Sequence, residues 1–186
     1  MAAGPIDIGG LPIPDSRPVF LVFLGVHIVA GLWCVLTGAG AALARKRRGR
    51  HPALGRAYAL GLVVLALSLT VLAVLRWPHT VHLLLIGLLS ITAAGVGVLA
   101  RRRHGPGWVY THGIAMTVSY VGLWTGFLID NGPLLPVWRE LPHVLHWALP
   151  SIVAVPLLVR ALSRYRSAAP RQVSVWPLPG RRSVAR

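Results

Sequence analysis

Five apolar runs divide this chain, roughly Pro18–Leu43, Ala57–Leu75, Thr80–Ala100, Trp108–Ile129 and Pro142–Leu162. Each is about 19–26 residues long, against the roughly 20 needed to cross a ~30 Å hydrocarbon layer. Between the runs the charges sort by sign. Asp7, Asp15, Asp130 and Glu140 fall in alternate segments, with only Arg17, Arg76 and Arg139 beside them. The other 16 of the 19 Lys and Arg fall in the opposite set: Arg45, Lys46, Arg47, Arg48, Arg50, Arg56, Arg101, Arg102, Arg103, and the stretch from Arg160 to Arg186. Short basic loops stay cytoplasmic. The pattern predicts an all-α integral membrane protein, a bundle of about five transmembrane helices, with the amino terminus outside and the carboxyl terminus cytoplasmic.

Composition points the same way, since 55% of the 186 residues are hydrophobic and 12% charged. A net charge of +15 would suggest nucleic acid in a soluble chain. Here the basic residues flank apolar spans, where they set orientation and contact anionic lipid, so no nucleic-acid partner is expected. Lys46 is the only lysine; this Arg-over-Lys bias resembles that of a GC-rich genome and points to a bacterial plasma membrane. Met1 to Pro18 lacks a basic n-region and the first run is too long for a signal-peptide core, so the first helix is read as a retained anchor. Cys34 is the sole cysteine, which excludes an intrachain disulfide and a cysteine metal site.

The expected organisation is an extracytoplasmic leader (1–17), a transmembrane bundle (18–162) and a basic cytoplasmic tail (163–186) without periodicity. The link Arg76-Trp77-Pro78-His79 is short enough to make the second and third helices antiparallel neighbours. Trp77, Trp108, Trp138 and Trp147 sit near span ends, as an aromatic belt does. Gly25, Gly31, Gly38 and Gly40 in the first helix, and Gly87, Ser90, Ala94 and Gly97 in the third, offer small surfaces for close helix contact. Pro150 and Pro156 are expected to kink the fifth helix. Val26-His27-Ile28 with Gly31-Leu32 parallels Val81-His82-Leu83 with Gly87-Leu88, which suggests a parallel duplication of two hairpins.

No Asp or Glu lies within a span. That argues against a carboxylate proton relay, a carboxylate-bridged di-metal site and aspartyl proteolysis. Ser68, Ser90, Ser119 and Ser151 show no base and acid partners for nucleophilic catalysis. The ionisable groups left are histidines. At ~1.5 Å per residue, His27 stands about 24 Å above Leu43 and His82 about 27 Å above Ala100. His143 and His146 stand roughly 26 and 21 Å above Arg160. Such an outer layer suits a haem on two imidazoles or a divalent metal on three. Equally, these rings can simply bond headgroups and carbonyls near the water boundary, although a buried His27 would still need a partner for its N–H.

At the opposite end, His112, Met116, Ser119 and Tyr120 follow i, i+4, i+7, i+8 spacing, one helical face turned toward the bundle. Met116 is one turn from His112 on the same helix, so the two cannot clamp one iron from opposite sides. The stripe reads either as a ligand face or as an interhelical hydrogen-bonding seam. His51-Pro52-Ala53-Leu54-Gly55-Arg56-Ala57-Tyr58 reads as a turn set by Pro and Gly at the mouth of the second helix. His51 there lies within reach of His112.

These motifs resemble those of a bacterial family of multi-pass membrane proteins that share a domain of unknown function. The resemblance lies in His27, then His51, Gly55, Arg56 and Tyr58, then His112, Met116, Ser119 and Tyr120, and covers about Phe20 to Leu123. The chain departs from the family pattern at Ala115 and Val118, where Trp and Arg are usual. The resemblance implies a multi-pass membrane fold and no particular activity. A looser similarity to four-helix cytochrome b-type carriers rests on histidines near both faces.

Three functional readings follow. The first is a structural or accessory membrane subunit without soluble-enzyme chemistry, associated with lipid and with a membrane-protein partner or a second copy. The second is a haem b electron carrier with His27 and His82 or His146 as outer ligands, and His51 with His112 inside, beside Met116 and Tyr120. The third is a histidine metal site at the outer trio, or a small transporter.

Overall fold

The computed structural model describes residues 6–8, 11–44 and 49–168. Among them five helices are long and apolar enough to cross a membrane. They are α1 (Pro18–Leu43), α2 (Arg50–Leu75), α3 (Val81–Arg103), α4 (Trp108–Asn131) and α5 (His143–Ala168). Pro18 opens α1, where its missing N–H leaves no bond unmade.

Three boundaries differ from those read off the sequence. The turn expected at His51–Tyr58 is helix, because α2 already begins at Arg50. Pro52 falls in the first turn, where a proline is tolerated, and Gly55 simply continues the helix. The α5 helix runs unbroken through Pro150 and Pro156 and continues to Ala168, six residues into the expected aperiodic tail. The expected leader contains a two-stranded antiparallel ribbon, β1 (Ile6–Ile8) and β2 (Leu11–Ile13), pairing Ile6 with Ile13. Gly9-Gly10 between them is a sequence signal for a two-residue hairpin. The basic residues 45–48 and the tail 169–186 lie outside the described residues.

Packing divides the bundle into two tight hairpins, α1 with α2 and α3 with α4, while α5 rests on α4. The hairpins meet around Cys34, Tyr58, Leu62 and Ala94, with Met116, Tyr120 and Leu123 against them. Small residues set the approach. A Cβ on Gly61 would lie 2.9 Å from the Cys34 sulfur, and one on Gly38 would lie 2.5 Å from Tyr120 Cε2. Gly87 takes Leu69, Gly97 takes Met116, and Gly122 takes the Ser90 hydroxyl. Gly25 departs from its expected role: nothing lies within 4 Å of its Cβ position, since it floors an open apolar groove between α1 and α2, lined by Val22, Val26, Val29, Trp33 and Val64. The outward face carries Val22, Ile28, Leu32, Leu36, Leu60, Leu67, Leu85 and Leu88, all exposed. Large apolar side chains directed outward, with hydroxyls directed inward, form the pattern a bundle adopts in lipid.

Candidate histidine site

The end of the bundle that carries the basic loops gathers two of the histidines. His51 stands in the first turn of α2, and its Nδ1 donates to the carbonyl of Ala41 on α1 at 2.8 Å. His112 stands in the second turn of α4, and its Nδ1 donates to the carbonyl of Gly97 on α3 at 2.9 Å. A carbonyl can only accept, so in both rings Nδ1 carries a proton. Each hairpin therefore fixes one imidazole by the same device: a ring on the returning helix bonds a backbone oxygen on the outgoing one. The two rings then meet edge to face, with centroids 6.2 Å apart and planes at 81°.

Gly97 links this pair to the rest of the stripe. The Met116 sulfur packs against it, 2.8 Å from where a Cβ would stand, so thioether and imidazole bracket one glycine. Two turns deeper than the histidines, Tyr58 and Ser119 bond at 2.7 Å, and Tyr120 donates to the carbonyl of Val35 at 3.0 Å. The stripe His112, Met116, Ser119, Tyr120 thus faces the bundle and joins three helices to α4. Sequence reasoning missed its extension: His104 meets Trp108 at a tilt of 60° with centroids 4.8 Å apart, and Trp108 meets His112 at 6.5 Å. The i, i+4 spacing of Trp108 and His112 on α4 was the available signal.

Of the outer histidines, His143 and His146 meet edge to face on α5, with centroids 5.7 Å apart. His27 on α1 turns to α2, where its Nδ1 lies 3.1 Å from Ser68 Oγ. Ser68 donates its own proton to the Leu65 carbonyl, so it accepts from His27, and this is the partner that the His27 N–H required. His82 is exposed on α3. His146 on α5 is buried, with Nε2 donating to the Trp138 carbonyl at 3.1 Å and its ring against Gly132. The expected outer ligands His27 and His146 thus bond different neighbours, Ser68 on α2 and the Trp138 carbonyl in the α4–α5 connection. Among the described residues no three His, Cys, Asp or Glu side chains converge on a common metal position, which removes the geometric basis of the outer metal trio.

No family model matches the chain, and neither curated proteins nor solved structures show a significant match to it.

Proposed function

We propose that this chain is a multi-pass protein of a bacterial plasma membrane, with its amino terminus outside and its carboxyl terminus in the cytosol. In this reading it serves as a non-enzymatic membrane subunit. Orientation is supported by the sorting of charge along the chain: Arg45 to Arg50 and Arg101 to Arg103 fall at one set of helix ends, whereas Asp130 and Glu140 fall at the other. The accessory role is supported by one observation above others. Polar side chains inside the bundle are spent on each other or on backbone: Tyr58 on Ser119 and Tyr120 on Val35 between the hairpins, and His27 on Ser68 within the first. Such a seam fixes helices, and the one hydroxyl set beside an imidazole here, Ser68 next to His27, gives its proton to the Leu65 carbonyl. The resemblance carried by His51 to Tyr58 and His112 to Tyr120 belongs to the same proposal, as do anionic lipid and a membrane-protein partner or second copy.

Single cysteines at Asp130 and at Arg102, in a Cys34→Ala background, test the orientation in intact cells. An impermeant maleimide should label the first and spare the second. Labelling of both from one side would overturn the topology.

A second reading, a haem b carrier, draws on the approach of His51 to His112. It requires a b-type reduced-minus-oxidised spectrum from protein made with haem supplied; a colourless product removes it.

A further inference from the structure

We infer that the groove between α1 and α2 is a binding site for one anionic phospholipid, with one acyl chain lying on Gly25 and the phosphate held at Arg17 and Arg76. The site rests on the membrane reading proposed above and holds for either orientation of the chain. The groove has a volume of about 670 Å³, within the roughly 300–1,000 Å³ of small-molecule sites. From Leu21 to Trp33 it runs about 18 Å along α1 at ~1.5 Å per residue. One leaflet of a ~30 Å hydrocarbon layer is about 15 Å deep. The deep end is marked by a fixed ring. Trp33 donates its indole N–H to the carbonyl of Ala57 at 3.1 Å, and its Cδ1 lies 2.7 Å from where a Cβ on Gly61 would stand. A chain of methylenes entering beside Leu21 therefore ends against the indole.

A second helix fits this groove less well. Close helix contact in lipid uses small residues one turn apart. Gly61 already takes the Trp33 indole, and the residues one turn from Gly25 on α1 are Leu21 and Val29. Val22, Val29 and Leu60 stand more than half exposed on the walls. A single open glycine among bulky walls accepts a slender, flexible chain. Charge then selects the headgroup. Arg17 precedes Leu21 and Gly25 by four and eight residues, which sets it above the same helical face. Its Nε and Nη2 are spent on Asp15 and the Leu75 carbonyl, yet its side chain keeps 43% of its surface exposed. Arg76 follows α2 directly and lies close enough for its charge to act on Asp15. Two guanidiniums against one carboxylate leave one positive charge over, which a phosphodiester matches.

Native mass spectrometry of the full-length protein in detergent, with phosphatidylglycerol or phosphatidylcholine added, reads bound lipid independently of topology. One phosphatidylglycerol per chain is expected, retained about fivefold better than phosphatidylcholine. Gly25→Leu should fill the groove and lower occupancy by roughly tenfold or more, since the acyl chain loses its contacts. Nothing lies within 4 Å of the Cβ position at Gly25 or at Gly95 on α3, so both sites accept a side chain, and Gly95→Leu should leave binding unchanged. Arg76→Gln should reduce the preference for phosphatidylglycerol about fivefold, the effect of one basic residue at an anionic lipid. A phosphatidylglycerol with a photoactivatable acyl chain should cross-link to wild-type α1 between Leu21 and Trp33. Undiminished lipid in Gly25→Leu, equal retention of the two lipids, or cross-links spread evenly over α3 and α5 would overturn the assignment. A wild-type dimer that Gly25→Leu dissociates would overturn it in favour of a second copy. Those outcomes leave the membrane reading standing, whereas a chain soluble without detergent would remove that reading and the site with it.

Discussion

Tyr58 and Ser119 meet hydroxyl to hydroxyl at 2.7 Å across the interface of the two hairpins, with Tyr58 2% exposed and Ser119 not exposed at all. Neither group can exchange this partner for water, so the pair sets the relative position of α2 and α4 as well as stabilising it.

Breaking that pair on one side should cost more than removing it whole. Ser119→Ala leaves the Tyr58 hydroxyl buried and unpaired, at about 1–3 kcal/mol. Tyr58→Phe combined with Ser119→Ala should recover part of the loss. Unfolding in mixed detergent micelles, run as a double-mutant cycle, should give a coupling of about 0.6–1.7 kcal/mol. Additive single mutants would show that the bond contributes nothing to stability.

Glycine replacement separates close contact from open space on one helix. A Cβ on Gly38 would meet Tyr120 Cε2 at 2.5 Å and Tyr58 Cδ2 at 3.1 Å, so Gly38→Ala should destabilise by about 1–3 kcal/mol through overpacking. Gly25→Ala meets nothing within 4 Å and should be neutral or slightly stabilising through helix propensity. Thermal unfolding of both variants in one detergent checks the contrast, and equal effects would count against the α1–α4 contact.

Outside the spans, Asp15 holds Arg17 through its carboxylate, and Arg17 Nη2 reaches the carbonyl of Leu75 at 3.3 Å. Hydrogen bonds from the Arg17 side chain, then from its backbone N–H, hold the Asp15 carboxyl below its usual range. A depressed acid pKa stabilises the folded state above the unfolded value of about 4, and that contribution is lost as pH falls through the lower folded value. Hydrogen-exchange protection at the start of α1, relative to the intrinsic rate, should therefore fall below about pH 4. In Asp15→Asn that step should vanish, and its persistence would place the titrating group elsewhere.

His146 fastens the α4–α5 connection, its Nε2 on the Trp138 carbonyl and its ring over Gly132, while its buried Nδ1 has no bonding partner among the described residues. His146→Ala should release the segment Gly132–Glu140 and raise amide exchange at Leu141 by roughly tenfold, the equivalent of about 1.4 kcal/mol. Unchanged protection would show that the short 3₁₀ turns hold themselves.

The sequence by itself determined five helices and the alternation of charge between them, because span length and hydropathy are local properties that lipid enforces one segment at a time. Charge pattern also placed His51 and His112 at a common end, since Arg50 and the Arg101–Arg103 turn mark it. Helical spacing put Met116, Ser119 and Tyr120 on the face of His112. Rotation about each helix axis was not legible. An α1 that is apolar all round carries no stripe to say that His27 turns to Ser68 while Gly25 faces an open groove, and His82 stands exposed although His27 at similar depth is half-buried. Tertiary packing alone decided those rotations, because which small residue meets which large one across an interface depends on both partners at once. The same packing turned His27 to Ser68 and His146 to Trp138, and brought together the inner two.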